Sequence, residues 1–597
     1  MVRCHTGCAD CGCLADCVDT LHGDAGHDTT ILCGRATVRS GLTPSAVLIA
    51  EGRAAAPVTM NTTLFLRAQN VRSESEYKRQ AMAAGRVMYH AHVGLSTWDA
   101  TRDALTEIAT KLADAGYSVD RFGLALDRAM GAHEAERESM AKETGPRLDA
   151  LDWHELGEVV PIQPHLGDHM IGFPAGFENT VRALAAGVTT IGNVGQYSAF
   201  DLVGGSDEYV VTEQTVRALS AMAALRNKGA LAHSNLDDGT GTQASHFGAY
   251  VGWAALERYV VEDLIGARLA HCYGNTIQQA DTRIALHFAL DELQGRNSIG
   301  SMVYGNTVDH RAGAIEANRS AVIAQLRCDI AAQIRRPTGH AVNPVPLTEA
   351  ERIPSASEIV DVQLLARSVE REVRADPLLF DWSRLERLGV GLADYGMAFC
   401  RSALHVFESD GVDVRDAAQV LLAMRRASMP ALERAANCVP PDEIAELVPW
   451  KATQVQRLSA QLRANAPRLN GVRVVLAVLE VHDLIRDALV RVLPEAGAEV
   501  ILLGAGSSIE GVARAAVQED ADAIVLGVYN GNALALGRQL TVAARALGWD
   551  GRIFMGGLLN QDEGDGLPVD ARPALTGMGV RCMDRVEDLL IELALQH

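Results

Sequence analysis

The sequence predicts a mixed α/β protein, a (β/α)8 TIM-type barrel followed by a smaller flavodoxin-like (Rossmann-like) α/β domain. Three observations predict it. From about Gly85 to Asn343 a short β-type run ending in polar residues is followed by a longer segment of helical apolar period, eight times over. From Val472 onward a second, independent alternation of strand and helix begins. The chain has 597 residues, 48% hydrophobic and 22% charged, which is globular composition and enough length for two or three cores.

The eight strand candidates of the first part are Arg86–His92, Val119–Leu126, Val159–Gln163, Val188–Asn193, Ala230–Asn235, Arg268–Tyr273, Ser298–Tyr304 and Gly339–Val342. Helical segments between them include Trp98–Ala115, Glu178–Ala186, Thr212–Asn227, Gly252–Leu264, Ile277–Leu293 and Ile315–Ile334. Strict alternation implies parallel pairing, and eight units close naturally into a barrel; an open doubly wound sheet is the alternative. The barrel domain is placed at 60–374, after a leader at 1–59 read as disordered. A largely helical linker at 375–470 and an α/β domain at 471–597 complete the chain.

In such a barrel the site lies at the C-terminal strand ends, and here these are polar. They offer His90 and His92, then Gln163, His165, Asp168 and His169, then Asn193, Gln196 and Tyr197. His233, Asn235, Asp237 and Asp238 follow, then His271, Tyr273 and Asn275, Tyr304 and Asn306, and His340 and Asn343. Buried imidazoles need partners, so their recurrence at one end of several strands points to use. One use is a metal: His90-x-His92 with further histidines on strands five and six resembles the zinc site of amidohydrolase barrels. Those barrels close the site with an Asp on strand eight, where this sequence has Gly339-His340-Ala341-Val342-Asn343. The other use is as neutral hydrogen-bonding and acid–base groups around a polar organic substrate.

The net charge of -21 argues against nucleic acid and anionic membrane surfaces, and no apolar run approaches the ~20 residues needed to span a bilayer. A cytoplasmic enzyme with a small-molecule substrate is expected, as a homo-oligomer, a dimer. The 11 cysteines form no disulfide framework. Cys4, Cys8 and Cys11 have the spacing of the iron–sulfur motif of radical S-adenosylmethionine enzymes, but no strand precedes them, and they are assigned to the leader.

In the second part the strands are Val472–Leu479, Glu499–Leu503, Ala523–Leu526 and Arg552–Met555. The helices are Leu484–Ala496, Ile509–Glu519, one near Leu534–Ala546 and Arg585–Leu595. Glu480-Val481-His482-Asp483-Leu484-Ile485 follows the first strand and Gly556-Gly557 the fourth, with Asn530-Gly531-Asn532 and Gly548-Trp549-Asp550-Gly551-Arg552 between. This module resembles the cobalamin-binding subunit of glutamate mutase, whose family carries Asp-x-His-x-x-Gly and paired glycines at the first two places. More distantly, Gly187-Val188-Thr189-Thr190-Ile191 through Gln196-Tyr197 resembles a segment of that enzyme's barrel subunit.

The resemblance implies an adenosylcobalamin-dependent carbon-skeleton mutase, a radical isomerase acting on a small amino acid or carboxylic acid. By it His482 would be the lower axial cobalt ligand, with Glu480 on its other ring nitrogen. Asp483, Ile485, Gly527, Tyr529, Gly531, Gly556 and Gly557 would complete the cofactor site. Ile485 stands in place of the motif's glycine, and Gly527-Val528-Tyr529 in place of a Ser-x-Leu. Tyr197, His165, His233 and His271 are the candidate substrate contacts, and the family's carboxylate-clamping arginine and strand-four glutamate fall at His165 and Gly192. A corrinoid-dependent methyltransferase with part of 375–464 as a cap, and the metal-dependent hydrolase, are the alternatives.

Overall fold

The structure is a computed structural model that describes residues 2–4, 41–140, 142–143, 145–202, 205–376, 380–479, 484–503, 507–529, 531–561 and 569–595. The chain divides into two compact units, Thr37–Ala199 with Asp207–Trp450, and Lys451–His597 with Phe200–Ser206 and Met1–Ala36.

A strand Val2–Cys4 (β1) belongs to the second unit. The first holds eight strands: β2 (Met88–Val93), β3 (Arg121–Leu124), β4 (Gln163–Leu166), β5 (Thr190–Gly192), β6 (Leu231–Asn235), β7 (Leu269–Cys272), β8 (Met302–Tyr304) and β9 (Ala341–Asn343). Their order in the sheet is β7-β6-β5-β4-β3-β2-β9-β8, with every neighbouring pair parallel. Sequential strands are therefore neighbours everywhere except at β7 and β8, and the first pairs with the last. An open doubly wound sheet would reverse direction midway. A lone parallel bridge between Tyr273 and Val303 spans the remaining seam, so the sheet is nearly closed on itself, consistent with a (β/α)8 barrel.

The in-register pairs fix which side chains share the interior. His90 pairs with Arg121, Arg121 with Gln163 and Gly123 with His165. His165 in turn pairs with Thr190, Gly192 with His233, and Asn235 with Cys272. The third strand begins at Gln163, four residues after the sequence-based start at Val159. Its interior residues are polar and hydrogen-bonded, Gln163 to Thr63 Oγ1 (2.8 Å) and to the Gly187 carbonyl (3.1 Å), so the apolar run before it misdirects a reading by hydrophobicity.

Beneath the strands the helix Glu74–Ala83 inserts a buried ion cluster. Glu74 Oε1 lies 2.9 Å from both Lys78 Nζ and Arg121 Nε, and its other oxygen accepts from the hydroxyls of Thr189 (2.7 Å) and Thr190 (2.9 Å). Burial opposes ionisation of Glu74, but Lys78, Arg121 and the hydroxyl donors outweigh it and hold the carboxyl at about 2. Burial lowers the Lys78 ammonium to about 8 against the pull of Glu74. Lys78 and Arg121 also donate to the carbonyls of Gly300 (2.7 Å) and Ser301 (2.5 Å).

Two expectations need correction. The stretch read as a disordered leader contains the helix Ser45–Ala55, packed on Glu208–Ala224. A Cβ on Gly52 would stand 2.3 Å from the Arg217 carbonyl, so the missing side chain permits the contact. The stretch read as a linker also packs on the barrel unit. Its helix Trp382–Ser409 lies against Phe247–Arg258 and Ala280–Leu293, and Ala417–Arg426 against Glu208–Ala224. Their buried apolar faces give them a place on the barrel's flank that a free linker lacks.

The second unit carries β10 (Arg473–Val478), β11 (Glu499–Leu503), β12 (Ala523–Val528), β13 (Arg552–Gly557), a small antiparallel pair β14 (Asn560–Gln561) and β15 (Val569–Asp570), and β16 (Arg581–Met583). The main sheet is parallel in the order β1-β11-β10-β12-β13-β16. Alternate residues of its strands enter two separate apolar clusters, Val475 and Ala477 in one, Val474 and Leu476 in the other, so helices cover both faces. No described helix is long and apolar enough to cross a membrane.

Removing one member of the Glu74 cluster leaves buried cations uncompensated. Glu74→Ala should cost the barrel unit about 3–5 kcal/mol in denaturant unfolding. Glu107→Ala, which breaks an exposed pair with Lys111, should cost no more than about 1 kcal/mol.

Candidate active site

Alternate strands of a barrel contribute to one interior layer, usually filled by branched apolar side chains. Here β2, β4 and β6 supply His90, His165 and His233, and Ser301 before β8 completes the layer. All four are 0–1% exposed. The rings meet edge to face, with centroids 5.6 Å apart for His90 and His165 and 4.6 Å for His165 and His233. Glycine makes the room. A Cβ on Gly123 would lie 2.5 Å from His90 Nε2 and 2.7 Å from His92 Nδ1, and one on Gly192 2.7 Å from His233 Cβ.

All three imidazoles are held well below their ordinary value, first by burial. Arg121 beneath them and their own mutual repulsion act in the same direction. They are neutral, and one tautomer is fixed. His165 Nδ1 lies 3.1 Å from the Thr190 carbonyl, which can only accept, so Nδ1 carries the proton and Nε2 keeps its lone pair. His169 is oriented alike, with Nδ1 3.0 Å from the Leu126 carbonyl. His233 Nδ1 meets Ser301 Oγ at 2.8 Å. Both nitrogens of His90, Nδ1 of His92 and Nε2 of His165 are buried without a hydrogen-bond partner among the described residues.

Above this layer the loops after β4, β5 and β6 are stitched together. Asn193 Oδ1 accepts from the amides of Gly195 (3.0 Å) and Asn235 (2.7 Å), while its Nδ2 donates to Asp238 Oδ2 (2.7 Å). Gln196 donates to Asp168 Oδ1 at 3.0 Å, and Asp168 Oδ2 stands 3.7 Å from His92 Nε2. Burial pushes the Asp238 carboxyl up to about 8, and Asp168 and Asp237 add to the effect. It is therefore held largely in its protonated form at neutral pH, on the loop after β6. Asp237 is instead a structural acceptor, bound by the Gly274 amide (2.6 Å), Thr276 (2.7 Å) and Tyr250 (3.2 Å).

Of the four candidate substrate contacts, the structure brings His165 and His233 together in the interior and turns the other two away. His271 pairs in register with Ser234, on the outer face of the sheet, and its Nε2 lies 3.2 Å from Glu257 on the covering helix. Tyr197 is 2% exposed and its hydroxyl meets Thr212 Oγ1 at 2.7 Å on the helix Glu208–Ala224. His340 also faces outward, between Thr338 Oγ1 (2.7 Å) and the His271 carbonyl (2.9 Å). Among the described residues no group of three or more His, Cys, Asp or Glu converges as metal ligands.

In the second unit Glu480, His482 and Asp483, and with them the expected cobalt ligand, lie outside the described residues. The described candidates meet at the C-terminal strand edge, where Val478 pairs with Gly527 and Gly527 with Gly556. Gly557 has φ 107°, and a Cβ on it would stand 2.2 Å from the Val528 carbonyl and 3.0 Å from Tyr529 Cζ. Gly556 is open by comparison, its nearest neighbour at 3.6 Å. Gly531 also adopts a left-handed conformation, φ 73°. Ile485 packs against the apolar cluster beneath its helix.

No protein-family model matches the sequence, and no curated protein matches it.

The neutral imidazoles set a pH dependence. The unfolded chain takes up protons below about 6.5 that the folded layer refuses, so stability is lost as pH falls from that value. His165→Leu should reduce the steepness of this loss by about one proton, read from unfolding free energies across the acid range.

Proposed function

We propose that the chain is an adenosylcobalamin-dependent carbon-skeleton mutase, a radical isomerase similar to glutamate mutase, acting on a small amino acid or carboxylic acid. One register carries the reading. Val478, Gly527 and Gly556 stand side by side on β10, β12 and β13, so the three segments that bear the resemblance follow neighbouring strands at one sheet edge. The order β11-β10-β12-β13-β16 is flavodoxin-like and changes direction at β10, where ligands of such sheets bind.

The residues present fit the group on this edge. Gly557 combines a left-handed backbone with a carbonyl too close for any Cβ, and Gly556 beside it leaves the main chain open to approach. The Tyr529 ring, against both Gly527 and Gly557, would add an aromatic face to the nucleotide tail. His482 would hold the cobalt, with Glu480 bound to its other nitrogen and fixing the tautomer. When bound, adenosylcobalamin supplies a carbon-centred radical by homolysis of its cobalt–carbon bond.

The barrel's own part is to bind and orient. His165 Nε2 accepts a hydrogen bond from the substrate, His233 flanks it, and the neutral Asp238 carboxyl donates one at the rim. The closed imidazole layer and the ion cluster below it keep water from entering through the barrel floor. A cytoplasmic homodimer belongs to the same proposal.

An anaerobic absorbance titration of the full chain with adenosylcobalamin, beside His482→Ala, tests it. Saturable binding with the spectrum of an axial histidine, lost in the variant, is expected. A wild-type chain that leaves the cofactor spectrum unchanged contradicts the mutase reading.

A further inference from the structure

We infer that the N-terminal end of the barrel, opposite the candidate active site, binds a small soluble anion carrying several phosphate charges, through Arg53, Arg79, Arg226 and Arg268. In a chain of net charge -21 these four cations gather around two neighbouring strand starts. Arg226 precedes β6, which begins at Leu231, and Arg268 stands immediately before β7, its carbonyl accepting from the Ala232 amide at 2.8 Å. Arg53 Nη2 donates to the Ile265 carbonyl (2.9 Å) and Arg226 Nη1 to that of the next residue, Gly266 (3.3 Å), so both guanidinium groups sit on one turn. Arg79 lies one helical turn beyond Ser75, whose Oγ would be 3.5 Å from a Cβ on Gly229. It therefore shares the face of the helix Glu74–Ala83 that meets the loop Arg226–Gly229.

Among the described residues none of the four has an ion pair, and the guanidinium groups of Arg79 and Arg268 have no hydrogen-bond acceptor. The carbonyls of Ile265 and Gly266 close the end of a helical segment, where the helix dipole favours a cation, which accounts for Arg53 and Arg226. It leaves Arg79 and Arg268 without a role. Arg268 is half-buried. Burial holds its guanidinium below the ordinary value, and the like charges of Arg79 and Arg226 lower it further. Glu262 acts the other way, but its carboxylate is engaged, 2.6 Å from Arg258 Nη2 and accepting from the Leu269 amide at 3.1 Å. Lys228, on the Val58 carbonyl (3.1 Å), adds a fifth cation to the same loop.

Like charges held together without a counter-charge repel one another, and an anion that takes up their free N–H groups relieves the repulsion. Phosphate suits the cluster because a guanidinium forks onto two of its oxygens at once, and a chain of phosphates engages several arginines together. A single carboxylate would neutralise only one of the four. The acidic excess over the rest of the chain opposes an extended polyanion such as nucleic acid or an anionic membrane, so a small ligand confined to the cluster is the occupant.

The test is calorimetric titration of the full chain, without cobalamin, with sodium triphosphate at neutral pH and low ionic strength, beside sedimentation with phosphatidylcholine–phosphatidylserine vesicles. Saturable heat from triphosphate that weakens as salt is raised, and no binding to the vesicles, are expected. Arg79→Gln and Arg226→Gln change exposed side chains, and each should weaken binding roughly tenfold through the loss of charged hydrogen bonds. Triphosphate should raise the unfolding temperature of the wild type and not that of the double variant, whose ligand-free unfolding temperature stays near the wild-type value. Arg327→Gln, altered at an exposed arginine already 2.9 Å from Glu372, should bind as the wild type does. No heat from triphosphate, undiminished binding by the double variant, or capture by the vesicles in place of triphosphate would each overturn the inference. Because no cofactor is present, these outcomes leave the cobalamin reading untouched, and a failed cobalamin titration leaves them untouched in turn.

Discussion

Three imidazoles packed edge to face inside a parallel barrel can coexist only if all are uncharged, and much of the barrel interior follows from that constraint. Charging one of them would place a cation against its neighbours and above Arg121, in a layer with almost no access to water. The glycines at 123 and 192 exist beside these rings because any side chain there would collide with them. Ser301 and the Thr190 carbonyl supply the polar contacts that orient two of the rings. The result is a wall of lone pairs where most barrels have branched hydrocarbon.

The ion cluster below has the complementary task. Lys78 and Arg121 would be intolerable in the interior without Glu74, and together they hold the sheet's lower end through the Gly300 and Ser301 carbonyls. Ser301 thus joins the two layers, its carbonyl on Arg121 and its hydroxyl on His233. Polar interiors of this kind give up apolar burial and retain it elsewhere, here in the helices that sheathe the sheet, such as Phe247–Arg258, almost wholly buried.

The alternation of strand and helix was legible because period and length differ between the two, and the eight strands fall where it places them, apart from the displaced third. Side-chain direction was not legible. Barrel strands are covered on both faces, so the alternation that separates inside from outside in a half-exposed sheet is absent. In Leu269-Ala270-His271-Cys272 nothing in the letters says that Cys272 faces inward and His271 outward. The direction of Tyr197 is illegible for a related reason, since it sits on a short helix beyond β5 and packs against Thr212 and Arg425. The Glu74 cluster was missed because it comes from a helix before the first strand, and its i, i+4 pairing with Lys78 reads as an ordinary surface pair. The elevated Asp238 depends on burial first and then on the tertiary proximity of Asp168, neither of which sequence carries.

The most direct test of the central claim, a neutral imidazole layer, is the side-chain ¹⁵N resonance pattern of the histidines in the folded chain at pH values just below the ordinary histidine value. The structure predicts that His90, His165 and His233, assigned by single substitution, keep the signature of neutral rings, with His165 protonated at Nδ1. Imidazolium shifts at these three positions, or a His165 signal protonated at Nε2, would contradict it.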